Sequence, residues 1–119
     1  MAWQFTNESP VWVQIAARIR DEIISGVYAP GEQIPPVRQL ALTAAVNPNT
    51  VQRAFGRLEN EGLLCVKGTL GRFVTEDAAV LESAKQQAAR ELVDAFKKKA
   101  EALSITTDEL ISMLKEAEK

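Results

Sequence analysis

The side chains with the most specific chemistry in this chain lie between residues 47 and 57. Asn49 and Gln52 carry carboxamides, which both donate and accept hydrogen bonds, as the edge of an adenine requires. Arg53 carries a guanidinium, which can donate two parallel hydrogen bonds to a guanine. These residue types at this spacing predict a surface that reads base edges in DNA.

A helix beginning at Pro48 would present these side chains together. Asn47 is suited to cap such a helix, and proline at the first helical position loses no needed N–H. At about 100° per residue, the apolar and polar residues fall on opposite faces. The inward face is Val51, Ala54, Phe55 and Leu58; the outward face is Asn49, Gln52, Arg53 and Gly56, with Thr50 and Arg57 on its flank.

The outward face of this helix could read bases or could simply be exposed to solvent. The segments on either side of the helix favour the first interpretation. A shorter helix is predicted from Pro36 to Ala44, followed by a turn at residues 45–47. A β-hairpin is predicted from strands at 63–66 and 72–74, joined by a turn that contains two glycines. This order of elements is that of a winged helix-turn-helix, a DNA-binding fold.

An earlier helix is predicted to start at Ser9-Pro10 and to stop at Gly26. Its inward stripe is Trp12, Ile15, Ala16, Ile19 and Ile23. Trp12, like Trp3 and Phe5, is interpreted as a core residue, and the alternative is that these aromatic side chains line a small-molecule pocket.

The charges are distributed in favour of DNA contact, although the net charge of the chain is −2. Residues 33–74 contain five cations and two anions, a net charge of +3, whereas residues 76–119 contain seven cations and ten anions, a net charge of −3. Arg38, Lys67 and Arg72 are the predicted phosphate contacts. The N–H groups at the start of the helix capped by Asn47 are expected to add to them.

The composition argues against catalysis and against a resident metal or cofactor. The chain has no histidine and a single cysteine, Cys65, so it lacks zinc-ligand spacings and any Cys–His or Ser–His pair. Cys65 as a redox switch is a minor alternative. No apolar run could span a bilayer and no secretory signal is recognised, so a cytoplasmic protein, associated with the nucleoid when bound to DNA, is expected.

The pattern changes after Thr75, so domains are predicted at residues 1–75 and 76–119. A long amphipathic helix from Leu81 to Leu103 and a second helix with a Thr106–Glu109 capping box are predicted to form a two-fold dimer interface. The alternative is that both helices fold back on their own module. The predicted dimerisation residues are Leu81, Ala84, Ala88, Leu92, Phe96, Leu103, Leu110 and Leu114.

Residues 10–74 resemble the DNA-binding module of the GntR family of bacterial repressors nearly throughout. The segments that carry the resemblance are specific together, although none is specific alone. They are Pro10-Val11-Trp12-Val13-Gln14-Ile15, Gly26, Pro30-Gly31-Glu32-Gln33-Ile34-Pro35, Val37-Arg38-Gln39-Leu40-Ala41, Val46-Asn47-Pro48-Asn49-Thr50-Val51, Leu58-Glu59, Gly62 and Gly71-Arg72-Phe73-Val74. The two-helix tail is similar to that of the YtrA subfamily.

The resemblance implies that Arg38 and the surface from Asn49 to Arg53 contact DNA, and that a homodimer binds an inverted repeat. It also implies control of a transporter operon that includes the protein's own gene. Three departures stand out: Pro36 replaces a common serine, Ala45 replaces a common glycine, and the wing, residues 67–72, has fewer early cations than is usual.

The sequence therefore predicts a mainly α protein with a small β-hairpin (α+β), in which a winged helix-turn-helix precedes a two-helix dimerisation segment. The predicted partners are palindromic double-stranded DNA and a second copy of the chain, with the small-molecule effector unknown and no membrane partner. A winged-helix adaptor that binds protein is the alternative, and an enzyme is a more distant one. The predicted DNA contacts are Arg38, Asn47, Asn49, Thr50, Gln52, Arg53, Arg57, Lys67, Thr69 and Arg72.

Overall fold

The computed structural model describes residues 3–118, which form five α-helices and one two-stranded antiparallel sheet. The helices are α1 (Val11–Ile24), α2 (Val37–Ala44), α3 (Pro48–Asn60), α4 (Ala78–Ala102) and α5 (Thr107–Ala117). The strands are β1 (Leu64–Val66) and β2 (Arg72–Val74), joined through a short 3₁₀ turn at Gly68–Leu70. The predicted fold class is confirmed. No helix in residues 3–118 has the length and apolar character needed to cross a membrane.

The chain divides into two compact units, the first ending at Lys85 and the second beginning at Gln86. The first unit extends past the predicted boundary at residue 75. Two of the predicted dimerisation residues, Leu81 and Ala84, instead pack against the core of the first unit together with Val80. Both are half-buried there, so this packing argues against a place in the dimer interface, and that assignment stays a prediction.

The core of the first unit lies where α1 and α3 pack together. Val51, Ala54, Phe55 and Leu58 are each 0% exposed, so the predicted inward face of α3 is confirmed. Burying a side chain as large as that of Val51, Phe55 or Leu58 stabilises the fold by about 1.5–3 kcal/mol. This apolar stripe fixes the rotation of α3, and the opposite face must therefore point into solvent.

The start of α1 differs from the prediction, because Ser9 does not cap the helix. Pro10 occupies the cap position, and its carbonyl accepts from the N–H groups of Val13 and Gln14 at 3.1 and 3.3 Å. The side chain of Gln14 secures the preceding segment. Its Nε2 donates to the carbonyls of Thr6 and Ser9 at 2.9 and 2.8 Å.

The turn between α2 and α3 places Ala45 in the left-handed region, at φ 59° and ψ 50°. The next residue, Val46, donates its N–H to the carbonyl of Ala41 at 3.0 Å and packs against the core. α2 begins at Val37, one residue later than predicted. Pro36 occupies its cap position and has no side-chain acceptor for the N–H groups of the first turn.

We expect Ala45→Gly to raise the free energy of unfolding by about 0.5–1 kcal/mol, because a Cβ is disfavoured at this φ. Thr43→Gly is the matched control, since Thr43 lies in the helical part of α2 and is also exposed. There the substitution should destabilise the protein. Urea unfolding measures both, and a loss of stability in both variants would contradict the strain at Ala45.

The wing is the β1–β2 hairpin, in which Leu64 pairs with Val74 and Val66 pairs with Arg72. The segment before α2 runs along the free edge of β2, and Ile34 donates its N–H to the carbonyl of Arg72 at 3.0 Å. The side chain of Gln33 donates to the carbonyl of Leu70 at 2.5 Å. The first unit therefore holds the wing at its edge and near its tip.

Gly71 is required where the wing turns back. Its φ is +116°, and a Cβ there would lie 2.8 Å from Nε2 of Gln33. A side chain at this position would therefore strain the backbone and displace the Gln33 bond that holds the tip.

The second unit has very little core of its own. Ala100 is its only buried residue among the described residues from Gln86 to Glu118. The predicted capping box is confirmed: Thr106 accepts from the N–H of Glu109 at 3.1 Å, and the Glu109 carboxylate accepts from the N–H of Thr106. Caps define the ends of helices, but helices of this kind owe most of their stability to packing.

Candidate nucleic-acid interface

The outward face of α3 carries the three predicted base-reading side chains. Asn49, Gln52 and Arg53 are all exposed, and they lie opposite a stripe that is fully buried. Thr50 is half-buried on the flank, while Arg57 is exposed one helical turn beyond Arg53. The predicted orientation of these residues is confirmed, and their contact with DNA stays a prediction.

The N–H groups at the amino end of α3 are hydrogen-bonded to the cap residue, Asn47. The Asn47 side chain accepts from the N–H of Asn49 at 2.8 Å, and the Asn47 carbonyl accepts from the N–H of Thr50 at 2.9 Å. Pro48 has no N–H. The cap therefore argues against a phosphate contact by these N–H groups, which stays a prediction, and the side-chain amide of Asn47 remains available as a donor toward a ligand.

An aromatic side chain of α1 lies beside the outward face of α3. The guanidinium carbon of Arg53 lies 4.4 Å from the centroid of the Trp12 ring, and that of Arg57 lies 5.4 Å from it. Trp12 is half-buried. The sequence pattern assigned Trp12 to the core because it falls on the helical stripe of α1, and that pattern gives no sign of this contact with α3.

Two of the predicted DNA-contacting cations have anionic partners. Arg72 donates from its Nε to the Glu59 carboxylate at 2.5 Å, and its guanidinium carbon lies 5.0 Å from the centroid of the Phe55 ring. Arg57 faces Glu61 at 3.8 Å, an exposed pair of small energetic value. Arg72 thus ties the wing to α3 with its charge compensated, which argues against the phosphate contact predicted for it.

Three cations remain without an anionic partner among the described residues of this surface, namely Arg38, Arg53 and Lys67. Arg38 is exposed in the first turn of α2. Lys67 lies at the base of the wing turn, its Nζ 4.8 Å from the centroid of the Phe73 ring. Thr69 is exposed at the wing tip. Since the other two cations of residues 33–74 are paired with its two anions, the net charge of +3 is carried by these three side chains.

Two further kinds of site bear on function, a metal site and a reactive cysteine. Within residues 3–118, no group of three or more histidine, cysteine, aspartate or glutamate side chains could hold a metal ion. Cys65 is a free, exposed thiol on β1.

The second unit exposes a set of large apolar side chains, here called the tail apolar surface. It consists of Leu92, Val93, Phe96, Leu103, Ile111, Met113 and Leu114, which are 45–72% exposed. Four of these were predicted as dimerisation residues: Leu92, Phe96, Leu103 and Leu114. Ala88 and Leu110, also predicted, are half-buried. The prediction did not include Val93, Ile111 and Met113, although Ile111 lies on the apolar stripe of α5.

Comparison with known sequences places this chain in a protein family. The family model for bacterial regulatory proteins, gntR family, matches residues 12–74. The uncharacterized HTH-type transcriptional regulator YhcF of Bacillus subtilis is 31% identical over 94% of this chain and 93% of its own length. The HTH-type transcriptional repressor YtrA of the same organism is 33% identical over 60% of this chain and 55% of its own length.

Solved structures agree with these sequence matches. A GntR family transcriptional regulator from Listeria monocytogenes superposes with a TM-score of 0.82 at 31% identity, covering 94% of this chain and 98% of that chain. The DNA-binding domain of AraR in complex with its operator ORX1 superposes with a TM-score of 0.57 at 26% identity, covering 63% of this chain and 95% of that one. The chain belongs to the gntR family of bacterial regulatory proteins and is a DNA-binding transcriptional regulator.

Proposed function

We propose that the protein is a homodimeric repressor that places α3 of each copy in the major groove of an inverted-repeat operator. The observation that carries this proposal is the outward face of α3, where Asn49, Gln52 and Arg53 stand exposed above a fully buried stripe. A helix of this kind, joined to α2 by a tight turn, fits the width of the major groove.

The proposed DNA contacts are of two kinds, contacts to bases and contacts to phosphates. Arg53 donates to a guanine, and Asn49 and Gln52 pair with adenines in the same groove. Arg38 and Lys67 bind phosphates, because both are exposed and neither has an anionic partner among the described residues.

The remaining predicted contacts have supporting roles in this proposal. Asn47 donates from its amide, Thr50 and Arg57 flank the base-reading face, and Thr69 meets the backbone at the wing tip. Arg72 acts through the wing, because its charge is already engaged by Glu59.

The second unit supplies the dimer. It has a single buried residue among those described and exposes the tail apolar surface, which a solitary pair of helices would leave in water. Pairing with a second copy buries this surface and links two DNA-binding modules. Half-sites spaced by about one helical turn then present successive major grooves on one face of the duplex.

The repressor role is supported by the relative YtrA, which is named a transcriptional repressor. The similarity of the two-helix tail to the YtrA subfamily leads us to propose that the protein controls a transporter operon that includes its own gene.

In this proposal the protein acts in the cytoplasm, and at the nucleoid when it is bound to DNA. The 34 residues of the second unit are few for an enclosed metabolite pocket, so no effector is assigned.

A salt-titrated binding experiment tests the proposal. The wild-type protein first selects a duplex from random-sequence DNA, and its affinity for that duplex is compared with its affinity for a scrambled duplex of the same composition. We expect the selected sequence to be an inverted repeat that also occurs upstream of the native operon. Failure to enrich any sequence, together with no binding to random-sequence DNA at low salt, would instead favour a winged helix that binds protein.

We expect Arg38→Ala to weaken binding to the selected and scrambled duplexes alike, because phosphates carry no sequence information. The slope of log affinity against log salt should fall by about one per copy of the chain. Lys115→Ala is the matched control, since it removes an exposed cation from α5 and should leave the slope unchanged. An effect confined to the selected duplex would show that Arg38 reads a base instead.

A further inference from the structure

We infer that Trp12 is a positioning residue for Arg53: the indole holds the guanidinium at the edge of α3 in the orientation that reads a base. The inference rests on the proposed function, because it assigns a supporting residue to the base contact of Arg53. The sequence pattern assigns Trp12 to the core, but in the structure Trp12 faces Arg53 and Arg57, two cations of α3, the proposed recognition helix.

The geometry is that of a cation held over an aromatic face. The guanidinium carbon of Arg53 lies 4.4 Å from the ring centroid, within the range in which the ring attracts a cation, and tryptophan is the most effective ring for this purpose. Arg57 is more distant, at 5.4 Å, and has Glu61 as a partner at 3.8 Å. Arg53 has no ion pair among the described residues, so Trp12 is the strongest restraint that the structure shows on its guanidinium.

Contact with Trp12 leaves Arg53 able to bind DNA. The five N–H donors of a guanidinium lie in its plane, and a guanidinium that meets an aromatic ring with its face keeps those donors at its edge. The side chain of Arg53 also remains exposed. The fork of donors can therefore meet a guanine without leaving the indole.

Holding Arg53 in place has a consequence for sequence choice. A free arginine side chain loses rotamer freedom when it binds, and this loss weakens the contact. A side chain already held by its neighbour loses less. Trp12 should therefore strengthen the base contact specifically, and contribute little to phosphate contacts made elsewhere.

Trp3 provides a matched comparison within the same chain. It lies against Arg18, whose guanidinium carbon is 3.9 Å from the Trp3 ring centroid, and neither residue belongs to α3. Replacing Trp3 by leucine removes a contact of the same kind without touching the base-reading face.

The first experiment measures discrimination, defined as the ratio of affinities for the selected and the scrambled duplex. We expect Trp12→Leu to reduce this ratio by about three- to tenfold, while Trp12→Phe and Trp12→Tyr retain most of it because they keep an aromatic face. Trp3→Leu should leave the ratio unchanged. Far-UV circular dichroism and thermal unfolding establish that each variant is folded.

The second arm repeats Trp12→Leu in an Arg53→Ala background, where the double substitution should reduce discrimination no further than Arg53→Ala alone. If Arg53→Ala reduces discrimination and Trp12→Leu does not, or if Trp12→Leu has the same effect with and without Arg53, the positioning role is overturned and the proposed function stands. If Arg53→Ala itself leaves discrimination unchanged, the base contact fails and the role of Trp12 falls with it.

A third measurement needs neither DNA nor the loss of Trp12. The chain has two tryptophans, so Trp3→Phe leaves Trp12 as the only one. In that background, Arg53→Ala should increase acrylamide quenching of the indole fluorescence, because the guanidinium no longer covers the ring. Arg38→Ala should leave the quenching unchanged. Equal quenching with and without Arg53 would contradict the contact directly.

Discussion

Phe96→Glu is expected to convert the protein into a monomer and to lower its affinity for the selected duplex by about 100-fold or more. Phe96 is 50% exposed on α4, within the tail apolar surface. A buried carboxylate without a partner is strongly unfavourable, so two copies carrying the substitution should not pair. When two modules are linked, the second binds at a local concentration set by the linkage, and losing that linkage typically weakens binding by about 10²–10⁴-fold.

Light scattering reports the mass, and a binding titration reports the affinity. Val27→Glu is the matched control, because it places the same charge on a large apolar residue that is 59% exposed but lies between α1 and α2. It should leave the dimer intact. A Phe96→Glu protein that still has twice the monomer mass, or a monomeric one that binds the duplex as tightly as the wild type, would refute this role of the tail.

Arg53→Ala is expected to weaken binding to the selected duplex by about 1–3 kcal/mol per half-site and to relax the preference at one base pair. The reason is the loss of two parallel hydrogen bonds to a guanine. Arg53→Lys should lose most of the same preference, since an ammonium cannot form the bidentate fork. Binding to the scrambled duplex should change little.

Arg57→Ala is the control for this substitution. It removes the same side chain one turn along the same helix, where the guanidinium faces Glu61 at 3.8 Å, and its effect on discrimination should be smaller. Affinities for a panel of duplexes, each with one base pair changed symmetrically in both half-sites, measure the effect. Equal losses on the selected and scrambled duplexes would mean that Arg53 contacts a phosphate.

The sequence predicted the recognition helix well because the relevant information is local. The Asn47-Pro48 start and the apolar spacing of Val51, Phe55 and Leu58 determine both where α3 begins and which face it buries. The hairpin and the capping box of α5 were predicted from signals of the same local kind.

The sequence did not predict contacts that join residues distant in the chain. The pairing of Arg72 with Glu59 depends on how the wing docks on α3, which no periodicity reveals. The same is true of Trp12, which occupies a helical stripe and also serves as a platform for Arg53. Leu81 continued an apolar stripe without a break, and only the packing of the first unit shows that this residue belongs to that core.

Hydroxyl-radical footprinting on the selected duplex tests the central proposal most directly. Two copies that insert α3 into successive major grooves should protect two short, symmetric segments, centred about one helical turn apart on one face of the DNA. The wild-type protein is expected to give this pattern, and Phe96→Glu is expected to lose it at the same concentration. A single protected segment with one copy of the protein bound per duplex would contradict the account.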